Sequence, residues 1–293
     1  MNQTDSLAAQ FEKNRSHLRA VAYRMLGSLS EADDAVQEAW LKLNHSDASG
    51  IDNLGGWLTT VVSRICLDML RSRKARREEP LEPPAPRPEP TPRSPEDPEA
   101  EAILAEAVGH ATLVVLDRLA PAERIAFVLH DLFDIPFDEI ARITARTPEA
   151  ARQLASRARR RVRGTTTLSH VELTQQHSLV EKFLAALRLG DPTKLLDLLD
   201  PAFTVHADAT SAPRGLPDIH SAEAWAEAAV REGRGARLAR TAMVEGSVGI
   251  IVAPRGHLFR VLEFTFAHGR VASMEIIGDP ERLRSINIST LNT

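Results

Sequence analysis

Aromatic side chains are scarce in this chain: Phe, Trp and Tyr together make up 4% of its 293 residues, too few to line a large flat cofactor. A single cysteine, Cys66, excludes any intrachain disulfide and any cysteine-rich zinc or iron–sulfur site. The ten histidines show no metal-ligand spacing, so neither a metal nor a cofactor is expected. No apolar run approaches the ~18 residues needed to span a bilayer. The opening MNQTDSLAAQ lacks the basic and apolar regions of a signal peptide. A cytoplasmic protein with no membrane partner is therefore expected.

What is present is enough apolar material for proper cores, 43%, in a chain long enough for two or three modules. The net charge of −4 argues against nucleic acid at first sight, but the basic residues are clumped. Five of eight residues in RSRKARRE (71–78) are basic, as are six of twelve in RQLASRARRRVR (152–163). Local clusters, not the net value, set the field that a phosphate backbone feels.

Proline punctuates the chain. Residues 79–99 hold nine of the 18 prolines, which fix φ and remove donors, so this stretch reads as an extended, semi-rigid linker. A softer boundary falls at GTTTLSH (164–170). Three modules result: 8–78, 100–164 and 171–285, with no internal repeat.

The first module reads as helical. In EADDAVQEAWLKL (31–43), Val36, Trp40 and Leu43 share one face while Asp34, Gln37 and Glu38 lie opposite. The helix 55–78 carries Leu58, Val61, Val62, Ile65 and Met69 as its apolar stripe. Trp57, Thr60, Arg64, Arg71 and Lys74 gather on its far side, an aromatic beside cations that suits unstacked bases and phosphates. Cys66 borders the stripe and reads as a small core residue.

The second module reads as shorter helices over 119–133, 137–144 and 147–162, with Thr147 as N-cap of the last and Pro148 at its first turn. Ala151, Leu154, Ala155, Ala158 and Val162 form the buried stripe of that helix. Glu149, Arg152, Gln153, Ser156 and Arg160 face outward. Two helices, a tight turn at Ala145-Arg146 and an Arg-rich outer face describe a helix-turn-helix. The residues at the start of its outer face would reach base edges, with Arg157, Arg159, Arg160 and Arg161 on phosphates.

In the third module the period changes. Helices at about 174–189 and 193–199 precede the β-rich runs 203–208, 247–254, 257–267 and 270–277, with a helix at 221–232 between them. This order predicts an α+β module with a run of antiparallel strands. His206 and Asp208 lie two apart on a predicted strand and so share a face, as an acid–base pair or as part of a pocket used for binding or packing.

Taken together, the segments 31–43, 57–78 and 123–162 resemble, in that order, the polymerase-docking helix, the −10-reading helix and the −35-reading helix-turn-helix of extracytoplasmic-function sigma factors. The third module resembles a SnoaL-like domain of the NTF2 fold, a fusion that marks the sigma-J type subgroup. The resemblance implies two all-α sigma domains followed by an α+β, NTF2-like cone, and a non-enzymatic protein whose partners are core RNA polymerase and promoter DNA. It further implies polymerase docking through Asp33, Asp34, Gln37 and Glu38. The −10 element would be read by Trp57, Thr60, Arg64, Arg71 and Lys74, and the −35 element by Glu149, Arg152, Gln153, Ser156, Arg157 and Arg160. His206 and Asp208 would mark a pocket for a small-molecule ligand, and an anti-sigma factor is a further partner of the family. The third module would act as an internal regulator, with Asp279, Pro280, Arg282 and Leu283 in a latch-like tail. HADATSAPRG (206–215) keeps the subgroup's Asp but lacks its glycines, DPERL (279–283) matches its late motif loosely, and PLEPP (80–84) echoes its linker motif without the Trp.

Two other readings compete: a polymerase-independent helix-turn-helix regulator with a ligand-sensing third module, and a SnoaL-type enzyme carrying a DNA-binding region. The linker speaks for the sigma-factor reading. Some 20 extended residues, at up to about 3.1 Å each, can hold two DNA-reading modules apart as two promoter boxes require.

Overall fold

The computed structural model describes residues 3–46, 51–78, 110–211, 221–232 and 236–291; the Pro-rich stretch 79–99 lies outside them. The chain divides into two compact units, one from 1–109 and 116–160, the other from 110–115 and 161–293.

The first unit begins with α1 (Gln3–Leu26), α2 (Leu29–Asn44) and α3 (Leu54–Glu78). Gly27, at φ 75°, ends α1 in a conformation that costs glycine little, and Ser28 caps α2 by accepting from the Glu31 N–H. Phe11, Leu18, Val21 and Met25 of α1 meet Ala32, Val36, Ala39 and Leu43 of α2 and Leu58, Val62 and Ile65 of α3 in a closed core. Trp40 is half-buried at its edge, its ring 4.9 Å from that of Phe11.

After the undescribed stretch come α4 (His110–Asp117), α5 (Pro121–Phe127), a π-helical turn (Val128–Leu132), α6 (Phe137–Thr144) and α7 (Pro148–Arg163). The single helix expected over 119–133 is thus α5 running into a π turn that closes at Asp134, which has φ 54°. Helices α5 and α6 pack on α3 within this unit, on a second side that the expected apolar stripe omitted. There Thr59, Ser63, Cys66 and Leu70 are buried. The Thr59 and Ser63 hydroxyls donate to the carbonyls of Gly55 and Thr59 at 2.8 and 2.7 Å, so two polar side chains enter the core satisfied. Arg124 of α5 is 2% exposed; burial brings its guanidinium down to about 10, and Asp117, 3.5 Å away, supplies the opposing charge. Burial likewise pushes the Cys66 thiol up to about 12.

The second unit continues from the last residues of α7 into α8 (His170–Leu189), α9 (Pro192–Leu198), β1 (Leu199–Ala207), α10 (Ala222–Glu232), β2 (Ala239–Val244), β3 (Ser247–Val252), β4 (Arg260–Ala267), β5 (Arg270–Ile277), α11 (Pro280–Ser285) and β6 (Ile288–Ser289). The strands form one sheet in the order β1-β5-β4-β3-β2-β6. The expected all-antiparallel run is corrected in one place: β1 pairs parallel to β5, because it reaches the sheet before the β2–β5 meander and joins its last strand from outside. Strands β2 and β6 were not expected; ARTAMV is rich in alanine and β6 is two residues long. Helices α8, α9 and α10 supply Val180, Phe183, Leu184, Leu195 and Trp225 to a core against Val248, Phe264 and Met274 of the sheet.

Candidate nucleic-acid and polymerase interface

Helix α2 turns Ala32, Ala35, Val36, Ala39 and Leu43 inward, which leaves Asp33, Asp34, Gln37 and Glu38 exposed on one face. Two of these carboxylates have intramolecular partners: Asp33 accepts from Arg19 Nε and Nη2 at 2.7 and 2.9 Å, and Glu38 lies 2.9 Å from Lys42 Nζ. Such exposed pairs contribute little to stability and exchange readily for another partner. Asp34 and Gln37 are exposed between them.

On α3, Trp57 and Thr60 are half-buried while Arg64, Arg71 and Lys74 are exposed, in a line along one edge of the helix. Arg64 Nη2 donates to the Arg142 carbonyl of α6 at 3.3 Å, and Arg71 lies 3.5 Å from Asp68. Arg73, in the same basic run, has another role: it pairs with Glu31 of α2 and donates from Nη1 to the Leu26 carbonyl at 3.1 Å, tying the three helices together. Sequence periodicity offered no signal for that, because Arg73 sits in a run of like residues.

The helix-turn-helix is built as expected. Ala145 is left-handed at φ 55°, reversing the chain after α6, and the Thr147 hydroxyl accepts from the Ala150 N–H at 3.2 Å. Ala151, Leu154, Ala155, Ala158 and Val162 are all buried, and Glu149, Arg152, Gln153, Ser156, Arg157 and Arg160 are all exposed. Arg152 is 3.6 Å from Glu149, and its guanidinium carbon lies 5.6 Å from the Phe137 ring centroid. Arg159, expected on phosphate, is half-buried and paired instead with Asp131 of the π turn.

In the second unit, register separates the two faces of the sheet. Val205, Met274 and Phe264 align across β1, β5 and β4 and belong to the core under the helices; His206, Glu275 and Glu263, one residue along each strand, therefore share the opposite face. They line a cavity of about 540 Å³ with Glu245, Val244 and Thr265. Burial, followed by the Glu275 and Glu245 carboxylates, raises the Glu263 carboxyl above its usual range. Asp208 does not line this cavity; its carboxylate is instead turned to backbone N–H groups. Lying just past the end of β1, its Oδ1 accepts from Ser211 N at 2.8 Å and its Oδ2 from Gly278 N and Asp279 N at 2.8 and 2.7 Å. Burial opposes the charge, but these three donors hold the carboxyl below the usual carboxylate range.

The tail continues from that anchor. Asp279 caps α11 by accepting from the N–H groups of Glu281 and Arg282, Pro280 opens it, Leu283 is buried, and Arg282 Nη1 reaches Glu275 Oε1 at 2.6 Å. Among the described residues, no group of three or more His, Cys, Asp or Glu is placed to hold a metal, and no helix is long and apolar enough to cross a membrane.

Comparison with known proteins fits this geometry. Residues 10–76 match the model of sigma-70 region 2 and residues 110–162 that of sigma-70 region 4. The chain is 36% identical over 288 residues to the ECF RNA polymerase sigma factor SigJ of Mycobacterium tuberculosis H37Rv, covering 94% of this chain and 92% of that one. It is 37% identical over 209 residues to the probable ECF sigma factor SigI of the same organism, covering 71% and 72%. The crystal structure of M. tuberculosis SigJ aligns over 94% of this chain and 98% of that one at 33% identity, with a TM-score of 0.46. Region-2 and region-4 helices in this order, joined to a relative aligned along nearly its full length, make the chain a member of the extracytoplasmic-function RNA polymerase sigma factors, which bind core polymerase and recognise promoter DNA.

Proposed function

We propose that promoter recognition is divided among three surfaces. The exposed face of α2 (Asp33, Asp34, Gln37, Glu38) docks on a basic surface of core polymerase, with Trp40 and Leu43 anchoring the helix from within. The edge of α3 (Trp57, Thr60, Arg64, Arg71, Lys74) receives −10 bases and phosphates, where the few kcal/mol needed to extrude a base are offset by stacking and phosphate contacts. The outer face of α7 enters the −35 major groove: Glu149, Arg152, Gln153 and Ser156 at base edges, Arg157 and Arg160 on phosphates. The observation that carries this reading is α7 itself, whose inward positions Ala151, Leu154, Ala155, Ala158 and Val162 are apolar and buried and whose outer residues Glu149, Arg152, Gln153, Ser156, Arg157 and Arg160 are exposed. Domains 8–78, 100–164 and 171–285, joined by the linker 79–99, and action in the cytoplasm on polymerase complete the assignment.

The third module regulates the sigma core in the same chain, with the tail 279–288 as its latch and no catalytic step. Asp208 supports this reading, because its carboxylate is spent on holding the start of the tail. Run-off transcription with core polymerase tests the whole. Full-length protein should initiate from a promoter that the core enzyme alone ignores, and charge reversal at Asp34 and Glu38 should abolish co-purification with polymerase while the helical fold persists. Unchanged co-purification of that folded double mutant overturns the docking surface. Truncation near residue 168 and truncation before Asp279 should each change the transcript yield; equal yields from all three chains remove the regulatory role.

A further inference from the structure

The last four carbonyls of a helix have no partner inside it. In α7, the Val162 carbonyl is taken by a residue 128 positions away: Thr290 donates to it from its backbone N–H at 2.8 Å and from Oγ1 at 2.9 Å. A second observation places the tail at the same spot. Gly164, which follows α7 at φ 61°, comes so near Ser289 that a Cβ there would stand 2.0 Å from the serine Oγ. Conformation and space both require glycine.

The segment bearing Thr290 is itself fixed. Strand β6 pairs with β2 through Met243↔Ser289 and Val244↔Ile288, Asn287 N donates to Glu245 Oε1 at 2.6 Å, and Ile288 and Ser289 are buried. Before it stands α11, held by Asp208 and by Glu275–Arg282. A continuous run of hydrogen bonds thus leads from the sheet to the end of the DNA-reading helix.

We infer that Thr290 is a positioning residue for DNA recognition: it caps α7 from the tail strand and keeps its last turn wound, so that Arg160 and Arg163 stay aligned with the base-reading half of the helix. The inference rests on the reading of α7 as the −35 helix. Without the cap the last turn frays and those cations no longer hold a fixed spacing. Fewer phosphates are then neutralised, while the residues at base edges keep their geometry.

Three full-length variants test it. Thr290→Val removes the hydroxyl donor at nearly constant volume, Thr290→Ser retains both donors, and Gly164→Ala pushes the tail from the helix end. Amide exchange is measured across α7 and β2, and binding to a −35 duplex and to an unrelated duplex is measured over a salt series. Thr290→Val should speed exchange at Arg161–Arg163 severalfold, leave β2 protected and lower the salt slope by about 0.9 for each phosphate that goes unneutralised. Preference between the two duplexes should hold. Gly164→Ala should do the same more strongly, and Thr290→Ser should match the wild type. Wild-type exchange in the last turn of both Thr290→Val and Gly164→Ala overturns the cap. Faster exchange with an unchanged salt slope overturns the positioning role. A wild-type chain that does not distinguish the duplexes refutes the −35 reading instead, while the exchange data still decide the cap.

Discussion

Helices α3 and α7 are both long and both carry arginine-rich runs, yet they are covered differently. Helix α7 buries one apolar stripe and gives a broad opposite face, from Glu149 to Arg160, to solvent, with Arg159 at its flank held by Asp131. Helix α3 is covered by α1 and α2 on one side and by α5 and α6 on another, which leaves a narrow edge bearing Arg64, Arg71 and Lys74. The proposed roles fit that difference: a helix entering a groove needs a wide polar face, whereas one supporting extruded bases can also serve as the spine of a bundle. Basic composition alone does not distinguish the two; the number of covered faces does.

The largest effect that can break this contrast is on stability. Leu58→Ala, at a fully buried position in the second turn of α3, should cost about 2–5 kcal/mol in urea unfolding. Leu154→Ala, on the single stripe of α7, should cost less, since Leu154 retains 7% exposure and its site can relax. Equal destabilisation would mean that α3 is no more central than α7. Next comes base reading: Arg152→Ala and Gln153→Ala should each reduce discrimination of the −35 sequence by about 1–3 kcal/mol in competition binding. Smaller again, Arg160→Ala should weaken all duplexes alike and lower the salt slope by about 0.9. A change in preferred sequence would instead put Arg160 at a base edge.

The smallest effects separate a satisfied carboxylate from a crowded one. Glu263 stands directly across from Glu275, and its folded-state pKa is raised. Its charge therefore costs stability above the usual carboxylate range, and acid relieves that cost. Glu263→Gln should stabilise the second unit by roughly 0.2–1 kcal/mol at neutral pH, a gain that fades in acid. Asp208 has the opposite sign: its depressed pKa contributes stability at neutral pH that is lost as pH falls below the usual range. Asp208→Asn should therefore destabilise at pH 7 and converge on the wild type in strong acid. Thermal melts at several pH values read both.

How much of this could be read beforehand depends on the kind of burial. The inward set of α7 was legible to the residue because it is purely apolar and periodic. The second buried side of α3 was legible only at Cys66, since a thiol packs as a small hydrophobe; Thr59 and Ser63 look polar and enter the core because their own helix accepts the two hydroxyls. The two-residue spacing put His206 and Asp208 on one strand face, but nothing local indicated that Asp208 would meet backbone N–H groups some seventy positions away. Long-range hydrogen bonds of that kind, like the pairing of Thr290 with Val162, leave no periodic trace.

Cys66 has a practical consequence. With its thiol buried and its pKa near 12, almost no thiolate exists at neutral pH and reagents cannot reach it while the bundle is closed. As the chain's one thiol, it is a built-in clock: the rate at which a maleimide labels native protein counts how often the core around α3 opens. If core polymerase docks on α2 as proposed, it should slow that clock, and an unchanged labelling rate would count against that docking surface.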